Sequence, residues 1–166
     1  YDPNRLRVPL TVHRDYGLPA WAGNRTLVIG VSHSGETVET LSGVEAARRR
    51  GLPLVVATTG GRLGADAVAD RTPYLQYRAT GQPRAAIGFG LGLVHELLSR
   101  LELLSDPDPL GPAVEAVEAV LGRNAPSVET DASTAKQLAW SIYGRIPVVY
   151  GAGLMLQAAE EKPLAR

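Results

Sequence analysis

Cysteine is absent from the 166 residues, so nothing in the chain depends on a disulfide or calls for an oxidising compartment. An excess of charge is absent too: 17 basic and 17 acidic residues cancel, and neither nucleic acid nor an anionic membrane surface is indicated as a partner. No apolar run approaches the roughly 20 residues a bilayer requires, and no secretory leader is recognisable. The expectation is a soluble, cytoplasmic protein of about one domain's size, long enough to bury a real core. A start codon is missing as well, because the first residue is Tyr1 and the only methionine is Met155. Further residues are therefore expected upstream. They are also expected downstream, since Arg166 follows soon after a new glycine-rich turn.

What is present is organised around residues 26–37. Leu27, Val28, Ile29 and Val31 form a short apolar run that reads as a buried strand, and Ser32-His33-Ser34-Gly35-Glu36-Thr37 turns at Gly35 into a segment of helical period. At the carboxyl end of a strand in an open parallel sheet, free backbone N–H groups and the next helix's dipole favour an anion. Ser32, Ser34 and Thr37 would add hydroxyl donors there. The turn holds no Lys or Arg, and neutral donors suit a small dianionic phosphate better than a nucleotide's phosphate chain. The turn reads as a sugar-phosphate site. A purely structural role is disfavoured, because three hydroxyls at a strand end offer a core nothing that alanine would not.

The flanks supply the frame. Val8 to Val12, interrupted by Pro9, predicts an edge strand or a strand start, and residues 13–19, with Gly17 and Pro19, a loop. His13 reads as a loop histidine facing solvent, since no Cys, Asp or second His stands at metal spacing from it. Val38, Leu41, Val44, Ala46 and Ala47 predict a helix buried along one face. It ends at Gly51 behind Arg48-Arg49-Arg50, which reads as a solvated cap complementing the dipole. Residues 54–58 predict a second buried strand, Leu63, Ala67 and Val68 a short helix, and residues 74–77 a third, half-exposed strand. Residues 85–104 predict a helix nearly apolar in its first half, buried in the core or in a subunit interface, with His95 as packing. Arg84 stands at its amino end, where the dipole opposes a cation. Its partner is either a bound anion or reaction oxyanion, or a carboxylate in a salt bridge. Beyond a stiff linker over 106–112, two more helices are predicted, over 113–121 and 133–143, the latter with a stripe of Ala135, Leu138, Ala139 and Ile142. Residues 146–150 then predict a fresh buried strand, turning at Gly151-Ala152-Gly153. That Gly-x-Gly is a weak nucleotide signal without a third glycine.

Taken together, the turn Ser32-x-Ser34-Gly35-x-Thr37 is similar to the phosphate loop of the sugar isomerase (SIS) domain. With residues 12–19, 26–29, 82–88 and 143–151, the chain resembles in order the bifunctional phosphoglucose/phosphomannose isomerases of bacteria and archaea. The serine-threonine turn marks only the superfamily; the Gln-Pro-Arg-Ala-Ala segment is the more specific signal. The resemblance implies an α/β fold, a doubly wound parallel sheet flanked by helices. A first SIS domain would span 1–105, a helical linker 106–144, and the start of a second SIS domain 145–166. It implies a homodimer that interconverts glucose 6-phosphate or mannose 6-phosphate with fructose 6-phosphate, with no metal, cofactor or nucleic acid. By resemblance Ser32, Ser34 and Thr37 bind phosphate, and Arg84 stabilises a cis-enediolate formed as a glutamate moves a proton between C1 and C2.

The sequence departs from the pattern elsewhere. The family's Gly-Gly-Ser loop, its Glu-Asn-Ala-Lys segment, its His-Asn-Glu segment and its late lysine do not occur among these residues. Glu160 or Glu161 is the candidate left for the base, and a charged helix end is the plainer reading of both. None of His13, His33 and His95 inherits the ring-opening role, and His33 reads as a loop residue at the phosphate's edge. These residues alone are not expected to complete the reaction. Two alternatives stay open: an isomerase domain like that of glucosamine-6-phosphate synthase, whose loop also reads Ser-x-Ser-Gly-Glu-Thr, and a non-catalytic sugar-phosphate-binding SIS module.

Overall fold

The computed structural model describes residues 6–78, 86–105, 110–148 and 150. The chain divides into two compact units, Tyr1–Asp108 and Pro109–Arg166.

In the first unit, β1 (Val28–Ser32), β2 (Leu54–Thr58) and β3 (Tyr74–Gln76) form a parallel sheet in that order, joined by α1 (Val38–Arg49) and α2 (Gly61–Ala69). Ile29 stands opposite Val55, and Ala57 opposite Leu75. Parallel neighbours need a crossover, and the alternation of apolar strands with one-faced helices supplies it. Val44 of α1, Val56 of β2, and Leu63 and Ala67 of α2 make the core, with Leu41, Leu54 and Tyr74 packed against it. Each such Val or Leu contributes roughly 1.5–3 kcal/mol when fully buried. Helix and sheet approach so closely that a Cβ at Gly30 would lie 2.6 Å from the Val44 side chain. Val38, expected on the buried face, is exposed instead; it is the first residue of the helix.

The basic triplet is not a solvated cap. Arg48 reaches across to α2, with its guanidinium 3.1 Å from Asp70 and 3.9 Å from Asp66. Arg50 donates to the carbonyls of Pro19, Ala20 and Ala22, and so pins the preceding loop to the end of α1. Only Arg49 behaves as expected, exposed beside Glu45. Residues 8–12 are exposed and form no strand. Pro9 has no N–H to give a ladder, and the antiparallel bridge nearby is a single one, Leu6 to Leu104.

Within the same unit, α3 (Ile87–Arg100) buries only His95 and Leu98, while Ile87, Phe89 and Leu91 are exposed. Its apolar first half is therefore not covered by the described residues. Neither ring nitrogen of buried His95 has a hydrogen-bond partner among the described residues.

In the second unit, α4 (Leu110–Arg123) and α5 (Thr134–Ile142) are joined through Asn124 and Ser133. Asn124 Oδ1 accepts from Ser133 Oγ at 3.2 Å and from Ala135 N at 2.9 Å, while Ser133 Oγ accepts from Lys136 N. The cap is ordinary for serine at a helix start. The apolar stripe of α5 is exposed, as is α4 after its first residue, Leu110. Residues 146–148 are not a buried strand: Ile146 and Val148 are exposed and carry no ladder. A strand is stable only with a neighbour to exchange hydrogen bonds, and none of the described residues provides one.

Candidate functional site

β1 ends at Ser32 and α1 begins at Val38, so residues 33–37 carry the chain from sheet to helix. The corner is Gly35, at φ +74°, a conformation that costs other residues roughly 1–2 kcal/mol. Ser32 Oγ lies 2.8 Å from Thr37 Oγ1 and accepts from Gly35 N at 3.1 Å; Ser34 Oγ accepts from Glu36 N at 3.1 Å. The structure therefore brings all three predicted hydroxyls onto one turn, but unequally. Ser32 is buried and braces the turn from inside, whereas Ser34 and Thr37 are exposed.

Thr37 occupies the N-cap position of α1, yet its side chain does not cap the helix; its hydroxyl is turned to Ser32. Its carbonyl already accepts from Leu41 N at 2.9 Å. Among the described residues the first amides of α1 are thus left without a side-chain acceptor at the positive end of the dipole, beside two exposed hydroxyl-bearing residues. Such a turn can hold a small anion by neutral donors.

The neighbouring crossing fixes this turn. The His33 carbonyl accepts from Thr59 N at 3.2 Å, Thr59 Oγ1 at 2.7 Å and Thr58 Oγ1 at 3.3 Å. Gly35 O accepts from Leu63 N at 3.0 Å, and Glu36 Oε1 accepts from Arg62 N at 2.7 Å. Here the backbones meet: a Cβ on Gly35 would lie 2.8 Å from the Gly60 carbonyl carbon, and one on Gly61 would lie 2.8 Å from Glu36 Oε1. From the third strand's end, the Tyr77 hydroxyl stands 3.4 Å from His33 Nδ1, and Phe89 stacks on Tyr77 with ring centroids 5.8 Å apart. Burial raises the Tyr77 phenol above its ordinary pKa of 10.0. His33 is thus tied into the turn by both its backbone and its ring, in keeping with a loop residue.

A groove of about 530 Å³ runs along β1 and α1; Val12, His13, Trp21, Ile29, Thr37 and Thr40 are among its lining. Thr37 belongs to both turn and groove. His13 is exposed, as expected of it. Arg84, Glu160, Glu161, Gly151 and Gly153 lie outside the described residues. Sequence reasoning missed the parts played by Glu36 and by Thr58 and Thr59. A signal was available: Thr58-Thr59-Gly60-Gly61 repeats after β2 the order of apolar strand, hydroxyls and glycine seen after β1.

Comparison with known proteins places the chain among relatives of one description. It is 33% identical over 149 residues to a protein of Caldicellulosiruptor bescii named bifunctional phosphoglucose/phosphomannose isomerase, covering 89% of this chain and 44% of that protein. To the protein of the same name from Aquifex aeolicus it is 34% identical over 152 residues, 92% of this chain and 44% of the other. A third so named, from Pyrobaculum calidifontis, is 45% identical over 80 residues, 48% of this chain and 24% of that one. No family model matches. The chain spans somewhat under half the length of the first two relatives.

Proposed function

The chain belongs to the bifunctional phosphoglucose/phosphomannose isomerase family, and we propose from this that the turn from Ser32 to Thr37 holds the phosphate of a hexose 6-phosphate. The hydroxyls of Ser34 and Thr37, both exposed residues, and the first amides of α1 donate to the phosphate oxygens. Ser32, buried and bonded to both Thr37 and Gly35, holds those donors in place. In the proposed reaction a proton moves between C1 and C2 through a cis-enediolate, exchanging glucose 6-phosphate or mannose 6-phosphate with fructose 6-phosphate. Arg84 is proposed as the guanidinium that meets the enediolate's charge, and Glu160 or Glu161 as the carboxylate that moves the proton. The frame proposed is that of SIS domains, the first over 1–105 and a second beginning at 145, in a cytoplasmic homodimer.

What chiefly supports this reading is that a helix start lacking a side-chain cap and three hydroxyls fall on one turn whose geometry the neighbouring loop maintains. No helix of the described residues is long and apolar enough to cross a membrane. The test is to supply fructose 6-phosphate to the full-length gene product and follow both aldose phosphates. Formation of both is the expected result. Formation of neither overturns the isomerase reading, and sugar-phosphate binding without turnover would mark a sensing module instead.

A further inference from the structure

Two helices, α1 and α2, start at the same end of a parallel sheet, each offering the positive end of its dipole. They are not equally available. The start of α2 is filled by protein: Arg62 N donates to Glu36 Oε1 at 2.7 Å, Leu63 N to Gly35 O at 3.0 Å, and Gly64 N to Gly60 O at 3.2 Å. Two of those three acceptors come from the β1–α1 turn. A carboxylate one residue from a dianion's ligand is unfavourable in itself, and this one is aimed at the neighbouring helix start, where its charge is complemented. Glu36 is exposed, so burial does not explain its place. Its contact with Arg62 N does.

We propose that Glu36 is a positioning residue for the phosphate turn: its carboxylate anchors the turn to the first amides of α2, so that Ser34, Thr37 and the start of α1 are preset for the anion. The proposal rests on the sugar-phosphate reading above. A turn held before the ligand arrives loses less freedom on binding, which appears as affinity. The phosphate of a hexose 6-phosphate is at the far end of the sugar from C1 and C2, so a residue that only presets the phosphate turn spares the turnover step.

The experiment compares the full-length protein with Glu36→Ala, Glu36→Gln and Glu36→Asp, using inorganic phosphate by calorimetry, isomerase kinetics, and hydrogen exchange at the Arg62 and Leu63 amides. In Glu36→Ala the phosphate Kd and the hexose phosphate KM should rise about tenfold, as loss of one charge-assisted bond implies. Its kcat should stay within about twofold, and both amides should exchange faster. Glu36→Gln still accepts from Arg62 N and should recover most of the affinity. Glu36→Asp keeps the charge but falls one methylene short, so it should bind phosphate as poorly as Glu36→Ala; it serves in that variant's place should Glu36→Ala not fold. Unchanged phosphate affinity in either short variant, or a fall in kcat at constant KM, overturns the proposal. A parent that binds phosphate without isomerase activity overturns the isomerase reading alone, and the phosphate and exchange measurements still decide on Glu36. A parent that binds no phosphate overturns both.

Discussion

The crossings after β1 and β2 are built alike and put to different uses. Each is an apolar strand, a hydroxyl-bearing turn with glycine, and a helix. After β2 the hydroxyls point inward: Thr58 is fully buried and bonds His33 O and Gly60 O, and the helix start is filled by groups from the neighbouring turn. After β1 two of the three hydroxyl-bearing residues are exposed and the helix start has no side-chain cap. The same local sequence pattern therefore becomes scaffold where its donors find acceptors inside the protein and a candidate site where they do not. The asymmetry is directional: the β1 turn caps α2, and Gly61 of the β2 turn makes room for the β1 turn.

The most damaging way to break this relation is to separate the two turns. Gly35→Ala must place a Cβ against the Gly60 carbonyl at a positive φ, and a loss of roughly 3 kcal/mol of stability is expected. Urea unfolding measures it, and a variant as stable as the parent would show that the turns are not interlocked. A crosswise pair sharpens the comparison next. Thr58→Val deletes a fully buried hydroxyl with partners on both turns and should cost about 1–3 kcal/mol in unfolding, with phosphate affinity changed less than about threefold. Thr37→Val should do the reverse, weakening phosphate binding about tenfold while unfolding moves by less than about 1 kcal/mol. If both variants lose stability and affinity together, the division into scaffold and site fails.

A smaller effect is expected where α1 and α2 are joined away from the turns. Arg48 is mostly buried between Asp66 and Asp70, both partly exposed, so Arg48→Met should cost about 1 kcal/mol or less, diminishing as salt is added. Chemical unfolding in low and high salt checks this, and phosphate affinity should not follow it.

How much of this could be read beforehand depended on whether a signal was local. The strands β1, β2 and β3 and the helices α1 and α2 were legible because short β-branched runs and a one-faced period report burial directly. The hydroxyls of the β1 turn were legible as a group for the same reason. Their unequal burial was not, nor was the tie from Glu36 to Arg62, which joins residues 26 positions apart. Arg48 and Arg50 were misread because a helix-end cation satisfies the dipole equally well whether it faces water or, as here, carboxylates and loop carbonyls. The predicted strands at 8–12 and at 146–150, the latter described over 146–148 and at 150, had the composition of strands. Composition reports only that a segment would suit a sheet, not that a partner lies beside it.

The subtlest test uses Tyr77, which follows β3 and leans on the β1 turn through His33. Burial raises its pKa above 10.0, so the folded protein retains the phenolic proton at a pH where the unfolded chain has begun to release it. In that window the unfolded state binds fewer protons than the native state, and stability falls as pH rises. Below the unfolded value both states are protonated and the group contributes no slope. The decline should therefore begin near pH 10.0 and end above the folded pKa. Tyr77→Phe cannot ionise, and the difference between parent and variant, measured by urea unfolding across alkaline pH, isolates this residue from other titrating groups. The variant should be the less stable at neutral pH, having lost the bond to His33, and the gap should narrow as the pH rises. A gap that stays constant through the alkaline range would mean that Tyr77 is not held neutral by its surroundings, and that the third strand's end does not help to fix the turn.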